Sequence, residues 1–313
     1  MGFLAGRLAS MAVTLLLISA ITFAVTQILP GDVAMVIMGT QSNPEALAGL
    51  RESLGLDDPL LAQYGRWVAG MATGDWGASL VFREPIGPLL LDKMAASAVI
   101  VVLSMAIALT AAVPLGVWAA VHRGRWQDDA ASGGALLGVS LPDFFWGLLL
   151  ILLFARTLGW LPSSGFVHPA DDLGGALRHA FLPSLALGLG LMAHLTRMTR
   201  ATMTTILGEE FVRVARAKGL SERAVVWRHA LANAIGPVLT VAGLQVGYLF
   251  GSIIVVESLF NYTGMGWLTY QALLNRDIPL IQASVFVIAA VVMLANLAAD
   301  LLNAALDPRI RLG

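Results

Sequence analysis

Polar side chains set inside long apolar stretches are where this sequence could do chemistry. Asp143 follows Pro142 in an otherwise uncharged run, Gln245 and Tyr248 stand in a second, and Asn296, Asp300 and Asn303 share roughly one face of a third. A polar or ionisable group held in hydrocarbon is costly, and such groups serve as coupling-ion sites, proton relays or walls of a polar path. Each has a plainer alternative. Asp143 can snorkel or cap the helix that follows Pro142. Gln245 and Tyr248 can ride on a helix whose Gly243, Gly247 and Gly251 make a smooth packing strip. Asn296, Asp300 and Asn303 can bond a neighbouring helix instead of bordering a cytoplasmic exit. Covalent and metal chemistry find less support. The five histidines, His122, His168, His179, His194 and His229, show no i, i+4 pairing, and they read as structural or interfacial. Cysteine is absent, which excludes disulfides, thiolate metal sites and cysteine catalysis. Nothing places a base beside a serine.

The elements that must carry these groups are membrane helices. Of 313 residues 58% are hydrophobic and 12% charged, with a formal net charge of −1 and a mean hydropathy of +0.79. A soluble domain carries roughly a quarter charged residues, so the composition excludes a soluble enzyme, a nucleic-acid-binding protein and a disordered chain. A spanning helix needs about 20 apolar residues. Six segments qualify: 8–29, 95–121 with Pro114 inside, 133–155, a short 180–196 with Pro183, Gly188, Gly190 and His194, then 230–256 and 278–299. The first is too long for the apolar core of a signal peptide and lacks a small-x-small cleavage site, so it reads as an uncleaved span. Six spans put both termini on one side, and the excess of Lys and Arg in the 208–229 connection makes that side cytoplasmic. The organisation expected is residues 1–93 as a helix plus a long, net acidic outer loop, 94–303 as a five-helix core, and 304–313 as a cytoplasmic tail.

The connection at about 208–229 carries the densest set of signals. Glu209 and Glu210 favour the positive end of a helix dipole. Lys218 falls in the last turn, Gly219 is a natural left-handed stop, and Ser221 can cap a second short helix holding Glu222 and Arg223. Phe211, Val214, Ala215 and Lys218 are spaced to share one face. The small residues Ala215, Ala217 and Gly219 allow close approach by another surface. Two readings stand at this level: an amphipathic helix on lipid headgroups with Arg213, Arg216 and Arg223 near phosphates, or an element that docks into a cytoplasmic partner. Glu257, Asn261, Tyr262 and Trp267 follow the fifth span on the outer side, where the Tyr and Trp read as interfacial anchors.

Five motifs in order resemble the permeases of ATP-binding-cassette (ABC) importers, in the dipeptide, oligopeptide and nickel branch and its first-permease type. They are Glu210-Phe-Val-Arg-Val-Ala-Arg-Ala-Lys-Gly-Leu-Ser221 with Arg228-His-Ala-Leu downstream; Leu54-Gly-Leu-Asp-Asp-Pro-Leu60 with Gln63, Tyr64, Trp67 and Gly74-Asp-Trp-Gly77; Ser140-Leu-Pro-Asp-Phe-Phe-Trp-Gly147; Glu257-Ser-Leu-Phe-Asn-Tyr-Thr-Gly-Met-Gly-Trp-Leu268; and Asp307-Pro-Arg-Ile-Arg311. The resemblance extends over nearly the whole chain. The general importer pattern has Glu-Ala-Ala, three residues, then Gly. Here Arg213, Val214 and Ala215 precede Gly219, which puts an acidic contact at position 213 in doubt.

The resemblance implies an all-α, polytopic, type I importer permease with six spans and both termini cytoplasmic, in a bacterial or archaeal inner membrane. It implies three kinds of partner besides lipid: a second, similar permease forming a heterodimer, two ATP-binding subunits and an external solute-binding protein. Nucleic acid is not among them. Glu210, Arg213, Ala215, Arg216, Lys218, Gly219, Leu220 and Ser221 would couple to the ATPase. Gln245, Tyr248, Glu257 and Asn261 would line or gate the path. Glu257–Leu268 would form a re-entrant or scoop-like outer element that meets the binding protein. A P-loop needs Gly-Lys-Ser/Thr, and the only lysines, Lys93 and Lys218, do not fit it. ATP and Mg²⁺ would therefore be used by partner chains, with no cofactor on this one and no enzyme activity of its own. Peptide is the default solute on family frequency alone. A stand-alone secondary transporter or channel would instead need buried coupling acids, for which only Asp143 and the marginal Asp300 offer themselves.

Overall fold

The computed structural model describes residues 2–28, 33–38 and 43–306, and among these the regular structure is helical, with turns and loops between the helices and an isolated antiparallel bridge between Ala78 and Pro85. Leu29, Asp32, the Asn303 side chain and the tail motif at 307–311 lie outside the described residues. The chain divides into two compact units, residues 1–97 with 263–293, and residues 98–262 with 294–313. Residues 263–293 therefore group with the N-terminal part, across a gap in sequence of more than 160 residues.

In the first unit α1 (Gly2–Ile28) is uniformly apolar and crosses a bilayer by length and composition. Short helices α2 (Val33–Met38), α3 (Pro44–Ser53) and α4 (Leu60–Thr73) follow, so the long loop is not irregular. Helix α3 starts where Asn43 accepts from the Glu45 N–H at 3.1 Å and Pro44 takes a position that needs no N–H donor. Helix α4 stops at Gly74, whose φ of 84° closes the last turn. It returns onto α1 through an aromatic cluster. Phe23 meets Tyr64 edge-on at 5.5 Å and Trp67 at 6.2 Å, and the Tyr64 hydroxyl lies 2.8 Å from Ser19 Oγ.

The core of this unit joins Ile86 and Leu90, at the start of α5 (Ile86–Val121), to Met265 and Leu268 of α12 (Met265–Leu274) and to Leu280 and Ile281 of α13 (Ile278–Leu306). Asp277 ties the pieces together. Fully buried, it accepts from Ser79 Oγ, from the Val81 N–H at 3.1 Å and from the Leu280 N–H at 3.3 Å, the last as the N-terminal cap of α13. Farther along α13, Gln282 donates to Thr26 Oγ1 of α1 at 2.6 Å.

The second unit holds the rest of α5 and α13 together with α6 (Trp126–Ser140), α7 (Asp143–Leu150), α8 (Leu173–Leu207), α9 (Glu210–Ala217), α10 (Glu222–Ala224) and α11 (Leu231–Leu259). Among the described residues five helices are long and apolar enough to span, and a sixth span exists only if a bent pair is one crossing.

That pair covers the span expected at 133–155, which is broken in the middle. Helices α6 and α7 meet at Leu141–Pro142 with a 100° bend, and residues Ile151–Thr157 wind as a π-helix. Pro142 has no N–H to give to a continuing ladder and its ring drives Leu141 to extended backbone, φ −101° and ψ 133°.

The expected short span at 180–196 is also revised, because Pro183 does not stop α8. That helix runs 35 residues, about 52 Å, well beyond a hydrocarbon core of roughly 30 Å. Arg197 and Arg200 are therefore on the helix and not in a connection. Helix α8 is the central post of this unit: its apolar window is 61% buried, against 28% or less for the other four long helices. Small residues let its neighbours close in. A Cβ at Gly116 of α5 would stand 2.8 Å from Thr196 O, and one at Gly138 of α6 would stand 2.8 Å from Ala193 Cβ.

Candidate coupling segment and polar cleft

Helix α9 is short because its ends are marked. Glu210 opens its first turn, and the chain reverses at Gly219, whose φ of 79° is left-handed and costs a residue with a Cβ. Ser221 Oγ then accepts from the Ala224 N–H at 3.4 Å and starts α10. The second short helix expected from sequence is not separate. It continues through a π-helical turn, Val225–Ala230, into α11, so the bend is attached directly to the fourth of the five long helices.

The hook is held from inside by Val212, Ala215 and Val225, packed with Ile206 and Leu207 at the end of α8. This corrects the expected face. Ala215 is buried and faces the protein, whereas Phe211, Val214 and Lys218, at i, i+3 and i+7, stay exposed, as do Gly219, Leu220 and Ser221. Glu210 and Arg213 are also exposed. Arg216 forks onto Glu222 at 2.6 and 3.1 Å across the bend, which raises the guanidinium's affinity for its proton and holds the Glu222 carboxyl below its ordinary range. Arg216 is thus a brace of the hook.

Above the hook a cleft of about 680 Å³ opens between α6, α8 and α11. Ser132 and Leu136 come from α6, His194, Arg197, Met198, Arg200 and Ala201 from α8, and Val241 and Gln245 from α11. On α8 these positions recur at three and four residues, so they form one helical face. Gln245 lines this cleft, while Tyr248, one turn on, is not among its lining residues. Arg200 is held by Asp128, which is buried just before the apolar stretch of α6. Its Nε and Nη2 donate to the two carboxylate oxygens, and the Gly124 N–H donates to Oδ2 at 3.0 Å.

Other expected site residues fall elsewhere. The Tyr248 hydroxyl donates to Asp143 Oδ2 at 3.0 Å, and Asp143 is buried beside Gly190, so this acid neither snorkels nor caps. Glu257 is part of α11 and fully buried, and Tyr262 is buried against Phe166 at 5.0 Å, so the tyrosine is a packed side chain and not an exposed anchor. Asn261 is the exposed, left-handed residue of the turn after α11, φ 46°. The glycine strip is real at Gly243, where a Cβ would clash with Ala299 of α13, but Gly251 faces open space. The sequence reading missed the Asp128–Arg200 pair and the part of His194 and Arg197 in the cleft, because 72 residues separate the pair's members. The lone signal available was a pair of arginines three apart on an apolar helix.

Residues 112–312 match the family described as "Binding-protein-dependent transport system inner membrane component", and residues 1–82 match its N-terminal companion. The chain belongs to this permease family. Relatives include the glutathione transport system permease proteins GsiC of Salmonella paratyphi A and of Escherichia coli strain K12, each 39% identical over 305 residues and 97% of either chain. Among solved structures, two inward-facing crystal forms of the MetNI methionine ABC transporter superpose with TM-scores of 0.61 and 0.59 at 17% and 18% identity, over 72% of this chain and 99% of that one. That likeness carries the type I importer fold. The permease is accordingly a multi-pass inner-membrane subunit of a binding-protein-dependent ABC importer, in a family of transporters and not of enzymes.

Proposed function

We propose that this permease pairs with a second, similar permease and two separate ATP-binding subunits, and that an external binding protein hands it peptides or peptide-like solutes. ATP and Mg²⁺ act on the partner chains, and this chain binds no cofactor. The hook at 208–229 seats in the ATPase. Closure of the ATPases on nucleotide moves α9, and the fused α10–α11 helix passes that motion to the bilayer, turning the pathway from inward- to outward-facing. Glutathione transport by 39%-identical relatives favours a short peptide as cargo.

The observation that carries this reading is the exposed apolar edge of the hook. Phe211, Val214 and Leu220 stand 42–46% exposed around Gly219, on a turn already fixed by the Val212–Ala215–Val225 cluster and the Arg216–Glu222 brace. A rigid turn presenting apolar side chains among charges has the anatomy of a protein interface centre with a polar rim. Gln245 borders the path, Tyr248 and Asp143 brace the helices beside it, and Asn261 belongs to the outer turn that the binding protein meets.

Val214→Cys tests the docking. In membranes containing the assembled importer, a short thiol-directed crosslinker at position 214 should capture the ATP-binding subunit, with yield altered by nucleotide. Adducts with phospholipid alone would overturn the coupling role and restore the lipid-surface reading.

A further inference from the structure

The cleft between α6, α8 and α11 has a charge imbalance that the coupling reading does not use. Two arginines and a histidine face it, and among the described residues no acidic side chain lines it. Arg200 is committed to Asp128 through both of its donating nitrogens. Arg197, one turn away on α8, is exposed to the cleft and makes no hydrogen bond or ion pair with any described residue. Its fork of N–H donors is therefore open, on a wall that mixes the apolar Leu136, Met198, Ala201 and Val241 with the polar Ser132, His194 and Gln245.

We propose that this cleft binds a carboxylate of the transported solute, with Arg197 as the forked donor and His194 and Gln245 flanking it. The guanidinium matches a carboxylate through two parallel N–H···O bonds, and partial desolvation by the apolar wall strengthens them. The Asp128–Arg200 pair holds α6 against α8 and neutralises the second arginine, so one net positive charge faces the cargo. One charge suits a transit site: it attracts an anionic group without trapping it. The volume, about 680 Å³, lies in the usual range of small-molecule sites and admits a short peptide. Apolar side chains of such a peptide would lie against Met198 and Val241.

The proposal rests on the permease reading above, and its test needs no partner chain. The full-length protein in phosphatidylcholine nanodiscs is dialysed to equilibrium against radiolabelled glutathione, a tripeptide with two carboxylates, and separately against its diethyl ester. Glutathione should bind the native protein. Arg197→Gln should weaken that binding about tenfold, the loss of one forked charge-assisted contact, and Arg197→Lys should restore part of it. The ester should bind the native protein about tenfold more weakly than the acid, a comparison that does not depend on any variant folding.

Absence of glutathione binding, or equal binding of acid and ester, or equal binding by native and Arg197→Gln protein, would overturn the proposal. So would displacement of glutathione by phosphatidylglycerol added to the bilayer, because the oxyanion would then be a lipid phosphate. Each of these results leaves the position-214 crosslink standing, and loss of that crosslink leaves the dialysis result standing.

Discussion

Asp128→Ala measures how firmly α6 is held to α8. Removing one member of a buried ion pair costs about 3–5 kcal/mol, because the partner charge is stranded. Here the Arg200 side chain keeps 33% of its surface exposed and Asp128 keeps 6%. Water can rescreen the stranded guanidinium, so about 2 kcal/mol applies to it. The Gly124 N–H loses its acceptor at 3.0 Å, adding about 1 kcal/mol. The total of about 3 kcal/mol moves the folding equilibrium roughly a hundredfold. The assay is reversible unfolding of the purified chain in mixed micelles titrated with dodecyl sulfate. In the double variant Asp128→Ala/Arg200→Met the stranded charge is gone, so the loss should fall short of the sum of the single losses by at least about 1 kcal/mol. A single-variant loss under about 0.5 kcal/mol, or strict additivity in the cycle, would refute the reasoning.

Three further outcomes follow from the packing and the turns. Gly116→Ala places a Cβ 2.5 Å from Thr199 Cβ and 2.8 Å from Thr196 O, and should cost about 1–3 kcal/mol in the same unfolding assay; Gly236→Ala, with nothing within 4 Å, should cost nothing and serves as its control. Asp277→Ala removes the α13 cap and strands Ser79 Oγ and the Val81 N–H, so a loss of about 2–3 kcal/mol is expected, read as lower thermal stability by fluorescence-detected gel filtration. Gly219→Pro cannot adopt φ 79° and loses the bond from its N–H to Arg216 O at 2.9 Å; the variant should insert in the membrane at the native level, while stimulation of ATP hydrolysis by the loaded binding protein disappears. Native stimulation in that variant would count against the hook as coupler.

Local chemistry was legible in the sequence by itself. Long apolar runs dictate helices in hydrocarbon because every backbone donor must be satisfied within its own segment. Gly219 and Ser221 announce the hook, since a left-handed turn and a helix cap are decided by one or two residues. Which side of a helix meets what is another matter. Ala215 and Val214 are neighbours with similar apolar character, and only the packing of Val225 against α9 decides that the first is buried and the second exposed. Pro142 signalled a disturbance, but the 100° it produces depends on what α6 and α7 pack against. Pro183, the same residue type in the same kind of run, leaves α8 continuous because neighbouring helices support it. The cleft and its ion pair belong wholly to tertiary structure. They join three helices whose contributing residues span positions 128–245, and a contact across that separation depends on how the helices associate, which no local pattern of residues encodes.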